Sequence, residues 1–292
     1  MFQEKKIPLR KVLINYVEGP PAGPAMVLIH GFPGHWQEFL PIFSALSKSY
    51  HLYAVDLRGN GKSGRTPGEY HASYYAKDLL AFLKGTLHTE AVILFGMSAG
   101  GLIAMEVASQ LPEQINSLIL GDSPIDLEWL ISWMTSEAFK AIFSNFQSLA
   151  SSNLSLREME NAIADIQFPG QDAAIRYGDQ PGIDRKHLKQ LAEVLSKLDP
   201  EALEYHAKGR AEEFLSDFHL ERYLLKIKCP TLLIQADPAF GGMMTDRSVE
   251  FALSMLEKGS HVSLQQTGHD LGLESGQIGP LLENVIPFLS RF

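Results

Sequence analysis

The sequence predicts an α/β protein, a parallel sheet with helices on its faces, interrupted by a helical insertion. Three observations carry this. Short apolar runs at Met26–Ile29, Leu52–Val55 and Ala91–Phe95 alternate with helix-like stretches, and each run leads into a Gly-rich turn. Ser117–Leu120, Thr231–Ala236 and Val262–Gln265 continue the series, each bounded by Gly, Pro or Asp. Between the fourth and fifth of these runs, from about Ile125 to Leu225, the rhythm stops and no convincing strand is found.

That middle stretch shows helical spacing instead. Leu127, Leu130, Ile131 and Met134 form one apolar stripe, and Leu188, Leu191, Leu195 and Leu198 form another. Phe168-Pro169-Gly170 and Gln180-Pro181-Gly182 read as internal turns, and Asp199-Pro200-Glu201 as the start of a further helix. The sheet resumes at Lys228-Cys229-Pro230, where a proline at a strand entrance is tolerated. The expected organisation is therefore a core built from 1–123 and 226–292, with a helical cap at 124–225 between its two parts.

Composition bounds the function classes. Of the 292 residues, 45% are hydrophobic and 20% charged, enough apolar mass for a sizeable core and too much for disorder. Lys plus Arg minus Asp plus Glu is 25 − 34 = −9, with no basic run, which argues against a nucleic-acid or anionic-membrane partner. The single cysteine, Cys229, cannot close an intramolecular disulfide. The N-terminal stretch lacks the apolar segment of a signal peptide and no window is long enough for a membrane span, so the expected location is cytoplasmic. Asn153-Leu154-Ser155 then reads as a chance match to a glycosylation acceptor.

The strongest chemical signal is Gly96-Met97-Ser98-Ala99-Gly100-Gly101, set between the strand-like AVILF and the helix-like LIAMEVASQL. A serine on a sharp strand-to-helix turn needs neighbours without bulk two positions either side, and Gly96 and Gly100 supply them. The hydroxyl is then exposed above the sheet, with the helix N-terminus aimed at any developing negative charge. Two further segments agree, His30-Gly31-Phe32-Pro33-Gly34 after MVLI, and Asp56-Leu57-Arg58-Gly59-Asn60-Gly61-Lys62-Ser63 after the next strand.

Together these resemble the nucleophile elbow, the HG oxyanion loop and the D-x-R-G-x-G-x-S turn of the α/β-hydrolase superfamily, in particular a serine carboxylesterase-like member with a helical cap. The resemblance implies an eight-stranded, mostly parallel sheet with helices on both faces and the cap inserted after the sixth strand. It also implies backbone oxyanion donors at Phe32 and Ala99. Two decoys fail on context. Gly59-x-Gly61-x-x-Gly64 is followed by Thr66-Pro67-Gly68 where a dinucleotide site needs a helix, and Gly61-Lys62-Ser63 has Asp56 where a P-loop needs its leading glycine. No nucleotide cofactor is expected, and without a Cys/His cluster or HExxH motif no metal either.

A serine hydroxyl needs a base, and Thr267-Gly268-His269-Asp270 after the last strand-like run resembles the superfamily's histidine loop. His269 is the candidate base, while His30 reads as a shaper of its loop and His187, His206 and His219 as surface or polar-core residues. The acid departs from the common pattern, because the G-x-x-D turn after the seventh strand aligns with Ala236-Asp237-Pro238-Ala239 and puts alanine at the usual position. Some branches take the acid from the end of the sixth strand, here Leu120-Gly121-Asp122-Ser123-Pro124. Asp122 is the choice, with Asp237 the main rival and Asp246 and Asp270 kept open.

The expected reaction is hydrolysis of a small-molecule ester or related acyl substrate through an acyl-enzyme. A lactone, thioester or diketone C–C hydrolase would use the same machinery, and a low-turnover ligand receptor on the same fold is a third reading. The cap residues Trp129, Trp133, Met134, Phe139, Phe143 and Phe146 are candidates for the pocket wall, though most of such a stripe packs helix on helix.

Overall fold

Strands that run with both faces covered should alternate their side chains between two apolar layers, and Ala25–Ile29 does so. Val27 and Ile29 point into one layer, Met26 and Leu28 into the other, and all four are fully buried. The computed structural model describes residues 1–87, 91–170, 173–180 and 182–291. Its strands are β1 (Gln3–Leu9), β2 (Val12–Glu18), β3 (Ala25–Ile29), β4 (His51–Val55), β5 (Val92–Met97), β6 (Ile115–Gly121), β7 (Gln167–Pro169), β8 (Ala174–Arg176), β9 (Thr231–Ala236) and β10 (Gly259–Leu264). Eight of them form one sheet in the order β1-β2-β4-β3-β5-β6-β9-β10, parallel from β4 to β10 and antiparallel at β1 and β2.

The helices are α1 (Leu40–Leu46), α2 (Ala72–Thr86), α3 (Ala99–Gln110), α4 (Leu127–Thr135), α5 (Glu137–Ala150), α6 (Leu156–Ala164), α7 (Arg185–Leu195), α8 (Glu204–Ala207), α9 (Ala211–Phe214), α10 (Leu220–Lys226), α11 (Asp246–Met255) and α12 (Gly279–Leu289). Helices α1 and α12 supply Ile42, Phe43, Leu281 and Val285 to the layer on one face of the sheet. On the other face α2, α3, α10 and α11 build the larger layer, which runs on without a break into the apolar side of α4 and α5.

The sequence reading anticipated six of the sheet strands and missed β1 and β2, whose residues do not form apolar runs. β1 buries only Leu9 fully, and β2 is broken by Asn15, a buried amide that donates to Asp56 Oδ2 at 2.8 Å. Between β6 and β9 the chain is mostly helical, as the spacing predicted, but Phe168 and Pro169 are not a turn: they pair with Ala174–Arg176 in a small hairpin. Of the other expected turn, Pro181 lies outside the described residues. Asp199 does start a short helix at Pro200–Leu203, accepting from Glu201 N. It also ties this region to the sheet, since its N–H donates to Gly59 O at 2.7 Å and its carboxylate accepts from Tyr70 OH. No described helix is long and apolar enough to cross a membrane.

Candidate active site

The C-terminal ends of β5, β6 and β9 open on one crevice, with the β10–α12 loop beside it. Ser98 sits between β5 and α3 at φ 52°, ψ −124°, a conformation that costs an L-residue on the order of 1–3 kcal/mol and persists only where surroundings enforce it. The two glycines enforce it by closeness. A Cβ on Gly96 would lie 2.4 Å from Gly100 O, and one on Gly100 would lie 2.3 Å from Ile29 O, so any side chain at either position would force the elbow open. The serine side chain is partly exposed, and Ser98 N donates to Gly121 O at 2.8 Å, tying the elbow to β6.

The HG loop lies directly against this serine: a Cβ on Gly31 would be 3.1 Å from Ser98 Cβ and 3.7 Å from its Oγ. Its neighbour His30 is fully buried. Leu57 N–H donates to His30 Nε2 at 3.0 Å, so the proton belongs on Nδ1, which donates to Gly31 O at 2.6 Å. Burial pushes this imidazole down to about 4, and it stays neutral as a brace between the two Gly-rich turns. Asp56 braces the same region by accepting from Trp36 N and Asn15 Nδ2 at 2.8 Å and from Lys62 N at 2.9 Å. Below it Arg58 forks onto Asp78, with Nε–Oδ2 2.7 Å and Nη2–Oδ1 2.8 Å. Helix α3 begins at Ala99, whose N–H, as the first of a helix, has no intrahelical acceptor.

The four candidate acids separate cleanly. Asp122, fully buried, places Oδ2 2.6 Å from His269 Nδ1. Its remaining capacity is filled by Met243 N at 2.7 Å on Oδ2 and by Ala236 N at 3.1 Å and Met244 N at 3.0 Å on Oδ1. Asp237 instead accepts from Ala239 N and Gln266 N, both at 2.9 Å, and so fastens the end of β9 to the turn that carries the histidine. Asp246 accepts from Gln235 Nε2 at 2.8 Å, and Asp270 from Glu274 N at 2.7 Å. Among the described residues no hydrogen bond joins Ser98 Oγ to the His269 ring; nucleophile–base contacts often tighten only once substrate is bound.

Two pockets flank this line of residues. A narrow apolar one, about 40 Å³, is lined by Phe32 and Ala99, by Leu102, Ile103 and Glu106 of α3, and by Phe214. The Glu106 side chain has a single described hydrogen-bond donor, Gln110 Nε2 at 3.2 Å, and burial pushes its carboxyl up to about 7. The wide pocket, about 670 Å³, lies between the HG loop and the inserted helices. Of the six candidate wall residues, Trp133, Phe139, Phe143 and Phe146 line it. Trp129 and Met134 do not: Met134 is buried in the apolar layer, and Trp129 stacks on Trp133 with centroids 5.4 Å apart. Across from the aromatic wall stand Glu38, whose carboxyl desolvation raises to about 8, Glu193, and Glu274, which pairs with His187 at 2.7 Å.

Sequence reasoning did not single out Glu106, and it read His206 only as a surface or polar-core residue. Glu106 falls on the Ala99, Leu102, Ile103 face of α3, an i, i+3, i+4, i+7 relation that could have placed it beside the elbow. His206 is only 8% exposed and sits in a cluster of aromatic rings, which nothing in its local sequence signals.

Comparison with known proteins bears on the family and the fold. A family model described as alpha/beta hydrolase fold matches residues 24–158. A pimeloyl-[acyl-carrier protein] methyl ester esterase of Xylella fastidiosa is 33% identical over 109 residues, 37% of this chain and 40% of its own length. A 2-(acetamidomethylene)succinate hydrolase of Mesorhizobium japonicum is 29% identical over 121 residues, 41% of this chain and 43% of its own. The matches thus span less than half the length of these curated relatives. Among solved structures, the enol-lactonase of Burkholderia xenovorans superposes with a TM-score of 0.70 at 18% identity, covering 98% of this chain and 100% of that one, a likeness of fold.

Proposed function

We propose, from the premise that this chain belongs to the α/β-hydrolase superfamily, that it cleaves carboxylic esters by acyl transfer with Ser98 as nucleophile, His269 as base and Asp122 as acid. The observation that carries the reading is the 2.6 Å contact between the fully buried Asp122 carboxylate and His269 Nδ1. A carboxylate there keeps the proton on Nδ1, which leaves Nε2 free to take the serine proton, and it stabilises the imidazolium that results. The backbone N–H groups of Phe32 and Ala99 are then the donors for the oxyanion, each worth about 2.7–4 kcal/mol in the transition state. His269 returns the proton to the leaving alcohol, and water hydrolyses the acyl-enzyme by the same route in reverse.

An ester is favoured as electrophile by the 109-residue likeness to the methyl ester esterase, and the 24–158 match to the hydrolase family takes in the HG loop and the elbow. In this reading the cap is residues 124–225 and the core the remainder. A fluorophosphonate probe tests the core of the proposal. It should label Ser98 stoichiometrically and abolish release of p-nitrophenol from a chromogenic ester; labelling elsewhere, or turnover that survives full labelling, overturns the assignment.

A further inference from the structure

Four buried side-chain polar atoms lack a hydrogen-bond partner among the described residues: Asn15 Oδ1, Thr86 Oγ1, Gln190 Oε1 and His206 Nδ1. An orphaned buried polar group carries a real free-energy cost, so each needs a reason. Gln190 lines the wide pocket, and His206, which lines neither, packs behind the walls of both. His206 stands between them: its ring stacks on Phe32 at 4.7 Å and meets Phe214 at 5.1 Å, both residues of the narrow pocket. On its other side it stacks on Phe143 at 5.3 Å and approaches Phe139 at 6.1 Å, both residues of the wide pocket.

A phenylalanine would fill such an aromatic cage without leaving a nitrogen unpaired. The imidazole earns its place only if something absent from the protein itself bonds to it. Desolvation pushes His206 down to about 3, so it remains neutral and brings no positive charge to offset a buried carboxylate, which favours an uncharged partner. The wide pocket points the same way. Its described lining contains three glutamates and no lysine or arginine, so a substrate carboxylate would meet no fixed counter-charge. Gln190 Oε1 adds an acceptor that a hydroxyl can satisfy.

We infer that the substrate is an ester whose larger half is mostly apolar and uncharged and carries a neutral hydrogen-bonding group, a hydroxyl or keto oxygen, that pairs with the imidazole of His206 between the two pockets. This deepens the esterase reading and rests on it. His206 is then a binding residue that selects among esters, with no proton to transfer.

The test uses three p-nitrophenyl esters of matched chain length whose acyl groups are a plain hydrocarbon, a hydroxy or keto analogue, and an analogue ending in carboxylate. In the wild-type protein kcat/KM should be at least about tenfold higher for the hydroxy or keto ester than for the hydrocarbon, mainly through KM, and lowest for the carboxylate. In His206→Phe the polar-to-hydrocarbon ratio should fall to about one, whereas a ring that only packs would alter the melting temperature and leave the ratio alone. Preference for the carboxylate, indifference between the first two esters, or a ratio unchanged in the variant overturns the inference. If His206→Phe fails to melt cooperatively, the wild-type series still decides. The corresponding non-hydrolysable amides, read by thermal shift, separate the two levels of the argument. Stronger stabilisation by the hydroxy or keto amide with no ester turned over sinks the esterase reading and keeps this one, and turnover with carboxylate preference does the reverse. Neither binding nor turnover removes both.

Discussion

The floor of the crevice and its roof treat buried polar groups in opposite ways. On the floor, Asp122 accepts from three backbone N–H groups and from His269, His30 uses both ring nitrogens, and Asp56 is bonded from three sides. In the roof, His206 Nδ1 and Gln190 Oε1 have no partner among the described residues, and aromatic rings surround open volume. Apart from Asn15 Oδ1, which has no partner among the described residues, the floor network is multiply bonded and therefore rigid, because any displacement breaks several bonds at once. The floor is built to hold atoms in fixed positions, and the roof leaves capacity for what it will hold. On the proposed reading, the contrast is the physical form of a division between reaction geometry and substrate choice.

The comparison predicts a hierarchy of effects. Ser98→Ala should show the largest, a loss in kcat on the order of 10⁶-fold with the melting temperature essentially unchanged or raised, since it removes only a strained residue's oxygen. Next comes Asp122→Asn, at about 10⁴-fold in kcat, because an amide donor facing His269 Nδ1 favours the wrong tautomer. That variant should also melt lower, as its NH₂ would confront backbone N–H groups. Asp237→Asn should cost less than about tenfold, since a side-chain oxygen still accepts in the turn; stopped assays and a thermal melt on both variants would expose a reversed assignment.

A third prediction concerns pH and the narrow pocket. Glu106 is raised above its unfolded value, so between about 4.5 and 7 the folded protein binds more protons than the unfolded chain. Its contribution therefore makes stability fall as pH rises through that window and level off above it. Glu106→Gln should remove this slope, giving about 1–2 kcal/mol of stabilisation at pH 8 and almost none at pH 4, measurable by urea melts at the two values. Equal effects at both pH values would mean that the carboxyl is not desolvated. The smallest effect belongs to the rim of the roof. Trp133, 40% exposed, should tolerate truncation to alanine with under about 1 kcal/mol lost, while KM for bulky aromatic esters rises roughly two- to fivefold.

How much of this the sequence could reveal follows the same division. The elbow, the HG loop and the histidine loop are legible because they are backbone requirements: Gly96 and Gly100 admit no Cβ, and that demand is written locally in residue identity. The central strands are legible because burial on both faces needs uninterrupted apolar runs. β1 is not, since an edge strand needs few buried residues, and β2 is not, because the Asn15 amide interrupts its apolar run although five of its seven residues are buried. The geometry of the acids could be framed only as a choice, because it depends on where the end of β9 and the histidine turn meet β6. In the roof, a hairpin of three residues a side and a histidine enclosed by rings from three different segments arise from contacts between distant residues, which no local pattern encodes.

The partners of Asp122 lie far downstream. Ala236, Met243, Met244 and His269 follow it by 114, 121, 122 and 147 residues. On a translating ribosome moving at about 5–20 residues per second, this carboxylate is made roughly 6–30 s before the groups that satisfy it. Until then it cannot be buried without leaving a charge unpaired, so the end of β6 must stay hydrated while β3, β4 and β5 already exist. The crevice closes only when β9 and the histidine turn have arrived and docked. Hydrolytic activity in a nascent or truncated chain is thus a report on the last stage of folding, and it should appear in one step rather than grow with chain length.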